Sequence, residues 1–478
     1  MDQPKLDFVA NAADAMANEQ LQANLRKFTG ILKMAYQLGV DSVENFDELV
    51  RYASEVKKHT IDHLDVYLEQ FESRMTESGG KVYYAQTGDD LNRIVLDICR
   101  SAKARAIVKG KSMVSEETGL NKSLLGAGLE VVETDMGEYI IQIANERPSH
   151  IMGPALHKNR YEIAELFYKH HDLGPRSLEE IPDIVAEARQ VLREKFLQAD
   201  VGITGANALI AETGGVLLVT NEGNGDLCSS LPKVHIVVSG IEKLVPAMED
   251  VGAILRVLAR SLSGQSMGCY TSIFTGPRET PHDDGPDEFH VVLLDNHRTE
   301  MLGNEYRDML RCIRCSACMN QCPVFGETGG HAYGSVYVGP MGSVLTPIME
   351  GMEAAADLPN ACCSDGRCEE VCPMMIPLPD LLRKLRAHER DLGLSKRSLR
   401  WGLSAYMTLA RFPRLYQVLA RVGVGALSFA ERRGKRSLSF AGKSGWTQVR
   451  DMPVPQGQTF QSLLAQRRKR NKGAPNGS

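Results

Sequence analysis

Four cysteines, Cys312, Cys315, Cys318 and Cys322, followed at once by Pro323, constrain this chain more than any other feature. The first three are spaced to wrap three corners of a cubane-type iron–sulfur cluster. The fourth turns away to ligate a second cluster, so such a run needs a partner run. Proline prevents the chain from continuing as helix and helps turn that last thiolate outward. The spacing favours a cluster over a structural zinc site, which uses other intervals.

The partner run lies 50 residues on. Displacing the first run by that amount sets Cys362, Cys368, Cys372 and Pro373 on its cysteines and proline, while Cys315 falls on Asp365. Exchange of the last ligands assigns Cys312, Cys315, Cys318 and Cys372 to one [4Fe-4S] cluster. The other takes Cys322, Cys362 and Cys368 with an open fourth corner. Three outcomes stand for it: Asp365 binds through oxygen, Cys363 substitutes after local rearrangement, or the corner iron is missing and the cluster is [3Fe-4S]. Carboxylate is a harder ligand than thiolate, so a labile iron is expected. Asp365 also reads as a solvated turn residue, and Cys363 breaks the register.

Eight of the 11 cysteines fall between Cys312 and Cys372. Disulfide frameworks spread cysteines through a secreted chain, whereas this clustering suits metal in a reducing compartment. The start, MDQPKLDF, has no export-signal pattern, and no run approaches the ~20 apolar residues of a membrane span. A cytoplasmic protein is expected. Net charge is −5, yet from Arg383 onward 21 Lys/Arg face only 4 Asp/Glu. That tail suits an acidic surface: a partner protein, anionic lipid or nucleic acid.

Periodicity divides the chain. Residues 1–75 read as helical, with Leu21, Leu25, Phe28, Ile31, Leu32 and Tyr36 at helical spacing. Residues 76–299 alternate β-rich runs (Ala106–Val108, Glu130–Glu133, Val216–Thr220, His235–Ser239, His290–Leu294) with amphipathic segments at Arg160–His171 and Ser177–Gln198. That alternation predicts an α/β layer with a largely parallel sheet. Residues 300–385 read as an all-α ferredoxin-type iron–sulfur domain broken by the cysteine runs. Residues 386–478 are basic, with Trp401, Tyr406, Phe412, Tyr416 and Phe429 among arginines and a tail of disordered composition.

With these motifs together, the chain resembles the lactate utilization protein B family. The resemblance rests on the paired cysteine runs, Lys111–Gly119, Ala211–Gly215, Thr275–Arg278, Gly285–Asn296, the Gly329–Gly334 bridge and the Trp-containing basic C-terminal region. It implies a lactate-utilization (LUD) α/β domain of the sugar-isomerase/CoA-transferase-like type, followed by the ferredoxin module and a family-specific C-terminal domain. It also implies the iron–sulfur subunit of a three-component bacterial system oxidising L-lactate to pyruvate. Asp365 departs from the cysteine usual at that place.

In the α/β region, Thr204–Asn207 and Glu212–Gly215 flank a short apolar stretch where backbone amides can approach an anion. Asn207 and Thr213 are candidate hydrogen-bonding groups for a substrate, and Lys111 and Arg278 candidate charged contacts to its carboxylate. Glu116, Glu117 and His235 are candidate proton acceptors. The plainer readings are a turn at Gly214 and Gly215, a strand-end role for Lys111 and a satisfied core histidine at His235. No P-loop or GxGxxG run is present. Catalytic residues are unassigned.

Lactate oxidation removes two electrons and two protons, whereas clusters take one electron at a time and no hydride. The expected role is therefore a relay between a redox donor and an acceptor in a complex with other subunits, the chain not being catalytic alone. A self-sufficient 2-hydroxyacid oxidoreductase using the α/β domain is the alternative. Nucleic acid is not an expected partner, because the basic tail shows no DNA-binding motif; peripheral membrane contact through that tail fits its charge.

Overall fold

The computed structural model describes residues 6–395, 397–428, 437–438, 452–455 and 457–473. It divides into two units, one running to Leu392 and one from Gly393.

The first unit begins with four helices, α1 (Phe8–Ala17), α2 (Glu19–Asp41), α3 (Phe46–Asp62) and α4 (Leu64–Glu77). Asp7 and Asn18 cap the first two by accepting the N–H groups of Ala10 and Leu21. These helices do not form a separate body. Phe8 packs edge-on against Tyr333 (5.1 Å between ring centroids), and the Gln22 amide donates to Glu327 O at 2.6 Å, both partners lying near the cysteine runs.

Ten strands follow: β1 (Lys81–Ala85), β2 (Ala106–Lys109), β3 (Glu130–Glu133), β4 (Val201–Thr204), β5 (Ala208–Ile210), β6 (Gly215–Thr220), β7 (Val234–Gly240), β8 (Leu244–Val245), β9 (Tyr270–Phe274) and β10 (Glu288–Leu294). Six form an all-parallel sheet in the order β1-β10-β7-β4-β2-β3. Its inner strands, β10, β7, β4 and β2, are rich in Val and Ile and buried on both faces, as a helix-covered parallel sheet requires, whereas the edge strand β1 is partly exposed. One face packs on Leu91, Val95 and Leu120, the other on Phe167, Ile184 and Leu192 at one end and Phe71 and Met75 at the other.

The α/β class and the parallel sheet match the sequence reading. A second, mixed sheet of order β8-β5-β6-β9 was not legible in it. Gly202 in β4 is dictated by packing, since a Cβ there would overlap the Cys228 carbonyl.

From β2 the chain moves outward to β3, then returns to β4 on the other side of β2. Such a reversal opens a crevice beyond the carboxyl ends of the strands, where α/β sheets bind ligands. Gly110–Ser112, Gly205–Asn207 and Glu242–Lys243 lie just past β2, β4 and β7.

The cysteine runs sit in short helical turns, and the 50-residue repeat is structural. A 3-10 turn precedes each run (Arg307–Arg311, Leu358–Asn360), and a short helix carries its third cysteine (Ala317–Gln321, Arg367–Glu370). Left-handed backbone at Arg314 and Ser316 (φ 61° and 64°) recurs at Ser364 and Gly366 (60° and 83°).

In the second unit, Arg397–Ala410, Pro413–Ser428 and Phe460–Gly473 are helical, and Ser437–Leu438 pairs antiparallel with Met452–Pro453. Trp401, Tyr406 and Phe412 are exposed. Phe429 and the last five residues of the basic tail lie outside the described residues.

Candidate metal centres and the adjoining cavity

The repeated turns bring the cysteines into two groups. Cys312, Cys315, Cys318 and Cys372 line one small cavity, closed by apolar neighbours such as Met309, Ile313, Met341 and Ile376. Cys322 lies within electrostatic reach of Cys362 and Cys363, and Cys368 within reach of Cys362, Cys322 and Asp365. The last cysteine of each run thus stands with the other run's thiols. All the cysteines are free of disulfides.

The two groups differ in exposure. In the first, Cys315 is buried and its three companions are half-buried; in the second, Cys322 and Cys368 are buried and Cys362 half-buried, but the flanking Cys363 and Asp365 are exposed. Asp365 accepts the Arg367 N–H through Oδ1 at 3.4 Å. It stands beside the second group on the solvent side, and Cys363 does so as well.

The donor set fits a cluster. Among the described residues, no three His, Cys, Asp or Glu side chains converge on a single-ion site. Zinc would need ligands about 2.3 Å from one centre, whereas a multi-iron cluster holds its thiolates farther apart. Backbone N–H groups donate to sulfur from Phe325 to Cys322 (3.5 Å), Ile376 to Cys372 (3.5 Å) and Ser364 to Cys362 (3.2 Å). Such bonds stabilise thiolate charge and tune a cluster's potential. Burial pushes the thiol of Cys368 up to about 12 and those of Cys322 and Cys372 up to about 11. Loading iron therefore displaces protons.

Arg386, unremarked in the sequence, holds the second run. Its guanidinium donates to Pro359 O at 2.8 Å, Cys362 O at 3.0 Å and Ser364 Oγ at 3.4 Å.

Beyond the carboxyl ends of β2, β4 and β7 lies a cavity of about 310 Å³. Lys111 and Asn207 both line it, together with Lys243, and Ile313, Arg314 and Tyr337 from the cysteine region close it. Ile313 and Arg314 also line the first cysteine cavity, so one peptide stretch separates the two spaces.

The other proposed substrate contacts lie elsewhere. Thr213 sits in the β5–β6 hairpin turn, where its hydroxyl accepts the Gly215 N–H at 3.1 Å. Gly214 there has φ 69° and abuts the backbone of Met75 in α4, so this glycine pair serves a turn. Arg278 sits in a loop, ion-paired with Asp287 at 2.5 Å. Neither joins the cavity lining, because the hairpin carries Glu212–Gly215 away from Thr204–Asn207.

Of the candidate proton acceptors, His235 is wholly buried, bonded to Thr204 Oγ1 at 2.8 Å, and burial lowers it to about 3. Glu116 faces the buried Lys109 at 3.3 Å. Glu117 is bound by Arg298 at 2.8 and 3.0 Å. Arg298 also donates to Glu242 at 2.6 Å, and Glu242 in turn faces Arg314 at 3.4 Å. This buried chain of charges links the α/β layer to the loop between Cys312 and Cys315. Sequence reasoning found no signal for it, since its members are far apart in the chain.

Comparison with known proteins bears on both parts. Residues 68–294 match the LUD domain model, and residues 308–376 match the 4Fe-4S dicluster domain model. Lactate utilization protein B of Bacillus licheniformis is 39% identical over 97% of this chain and 97% of its own length. Its namesake in Shouchella clausii is 42% identical over 89% of each chain. The Escherichia coli K12 protein described as uncharacterized electron transport protein YkgF is 40% identical over 95% of this chain and 93% of its own. No helix among the described residues is long and apolar enough to cross a membrane.

Proposed function

The chain belongs to the lactate utilization protein B family, and on that premise we propose that it is the iron–sulfur electron-transfer subunit of an assembly oxidising L-lactate to pyruvate. The observation that carries this reading is the exchange of final cysteines, Cys372 standing with the first group and Cys322 with the second. Cys312, Cys315, Cys318 and Cys372 hold one cluster; Cys322, Cys362 and Cys368 hold the other, with Asp365 at its fourth corner ahead of Cys363. Bound there, the clusters supply one-electron acceptance and donation at adjacent positions.

The chain's own residues set the direction. The first group lies against the cavity in the α/β domain, and the second carries an exposed edge at Cys363 and Asp365, where a partner subunit can dock. Arg386 and the Ser364 N–H fix Cys362 at that exposed edge. The helices Arg397–Ala410 and Pro413–Ser428 contain no acidic residue, which supports peripheral contact with an anionic surface.

Isolation without oxygen, iron and sulfide analysis, and EPR test the assignment. About eight irons per chain mean two complete cubanes, and about seven with an oxidised-state three-iron signal implicate Asp365. Colourless protein with zinc in place of iron refutes it. The cavity lined by Lys111 and Asn207 favours a second reading, a self-sufficient 2-hydroxyacid oxidoreductase. Turnover of lactate by the chain alone with an artificial acceptor would select it.

A further inference from the structure

The cavity gathers positive charge that the protein itself satisfies only in part. Lys243 follows β7 in a 3-10 turn held from beneath by Lys57, whose ammonium donates to Glu242 O and to Leu244 O at 3.0 Å. Lys243 is 9% exposed, and its ammonium has no hydrogen-bond or ion-pair partner among the described residues. Arg314 is 8% exposed, lies over the Tyr337 ring at 4.7 Å, and leaves Nη1 without an acceptor. Lys111 Nζ likewise has no hydrogen bond, its nearest carboxylate being Glu138 at 3.5 Å. Unmet charged donors in a buried site are costly unless something accepts from them.

The lining carboxylates do not meet that need. Glu242 is shared by Arg298 and, at 3.4 Å, by Arg314 Nη2, which leaves Nη1 unmet; Asp135 accepts the Glu138 N–H, and Glu222 accepts the Met136 N–H. The Asn207 carbonyl accepts the Val219 N–H, which leaves the amide's NH2 as a further donor. At about 310 Å³ the cavity is at the small end of ligand sites, so it suits a metabolite-sized molecule.

We propose that this cavity binds a small organic carboxylate through Lys243, Arg314 and Lys111, and that Arg314 conveys its arrival to the cluster held by Cys312, Cys315, Cys318 and Cys372. The proposal rests on the electron-transfer reading and deepens it, making the first cluster the one that faces the substrate. Arg314 lies between two of that cluster's ligands in sequence and lines both spaces. A bound carboxylate offsets its positive charge, which favours the oxidised cluster, and the reduction potential becomes more negative. The planar guanidinium fork suits a carboxylate, and the ammonium groups add charge without fixed geometry.

The test uses the full chain, isolated without oxygen and loaded with iron, with L-lactate, pyruvate and inorganic phosphate as probes. Calorimetry reads binding, and EPR-monitored redox titration reads the clusters. Saturable binding of lactate or pyruvate, stronger than phosphate, is expected, with one cluster's signal perturbed and its midpoint lowered. Lys243→Met keeps shape, leaves no carboxylate unpaired and retains iron, yet weakens carboxylate binding roughly tenfold or more. Arg314→Gln removes the spectral response.

Full iron content and normal reduction by dithionite, with no carboxylate binding, overturn the proposal while sparing the electron-transfer reading. Binding unchanged in Lys243→Met, or phosphate bound as tightly as pyruvate, overturns it as well. Absence of clusters instead overturns the electron-transfer reading.

Discussion

Replacing Arg298 by methionine removes the centre of the buried charge chain while keeping much of its volume. Arg298 is 1% exposed and is bonded to Glu117 at 2.8 and 3.0 Å and to Glu242 at 2.6 Å. Burial alone would raise the Glu242 carboxyl, but Arg298 and Arg314 overcome it and hold the group at about 2 instead of 4.5. That difference corresponds to about 3 kcal/mol. Stranding one or more buried carboxylates costs about 3–5 kcal/mol, so the two estimates agree.

For Arg298→Met we expect the thermal midpoint of the iron-loaded protein to fall by roughly 3–6 °C, followed by circular dichroism under nitrogen. Because the Glu242 value is depressed, its contribution is present above about 4.5 and lost as pH falls through about 2. The gap to wild type should therefore be full at neutral pH and narrow in acid. Adding Glu117→Gln and Glu242→Gln to the variant should recover part of the loss by removing the stranded charges. A midpoint unchanged by Arg298→Met, or no recovery in the triple variant, would refute this account of the network.

Cys372→Ser should disturb the cluster of Cys312, Cys315 and Cys318 although it lies in the second run; EPR showing only the other cluster altered would contradict the ligand exchange. Asp365→Cys should slow iron loss from the second cluster under chelator, as followed by absorbance, and unchanged lability would count against Asp365 at that corner. Burial raises Glu138 from 4.5 to about 7, so its neutral form favours folding below 4.5 and that benefit disappears as pH rises through 7. Glu138→Gln should match wild type in acid and exceed it by about 2–3 kcal/mol above pH 8 in urea unfolding; equal midpoints at both pH values would refute this.

The sequence exposed what is periodic or local. Strands such as Glu130–Glu133 and Val234–Gly240 are β-branched runs bounded by turns, so their pattern alone located them. In β4 Gly202 interrupts the β-branched run, and the two residues of β8 are too short to show a pattern. The cysteine spacing is equally local and displayed the pairing of the runs. The cavity is not local: it joins stretches around 111, 207, 243, 314 and 337. Lys243 reads in sequence as an ordinary surface lysine, and Arg314 as a spacer between ligands. Asn207 was found through the glycine beside it and Lys111 through its charge, but the same cues selected Thr213, where glycine serves only the turn, and Arg278, which pairs with Asp287.

The N-terminal helices also bear on how the protein is made. The amide of Asn11 reaches Ala332 O across 321 residues, and that of Gln22 reaches Glu327 O across 305. At bacterial and eukaryotic elongation rates, about 5–20 residues per second, the leading helices wait roughly 15–60 s for these acceptors to leave the ribosome. Until then only part of their surface is covered, α2 and α3 being able to pack on the helix Met248–Ser263 and Phe28 on His150. The clasp around the metal-binding turns therefore closes late in synthesis, after the first cysteine run has emerged.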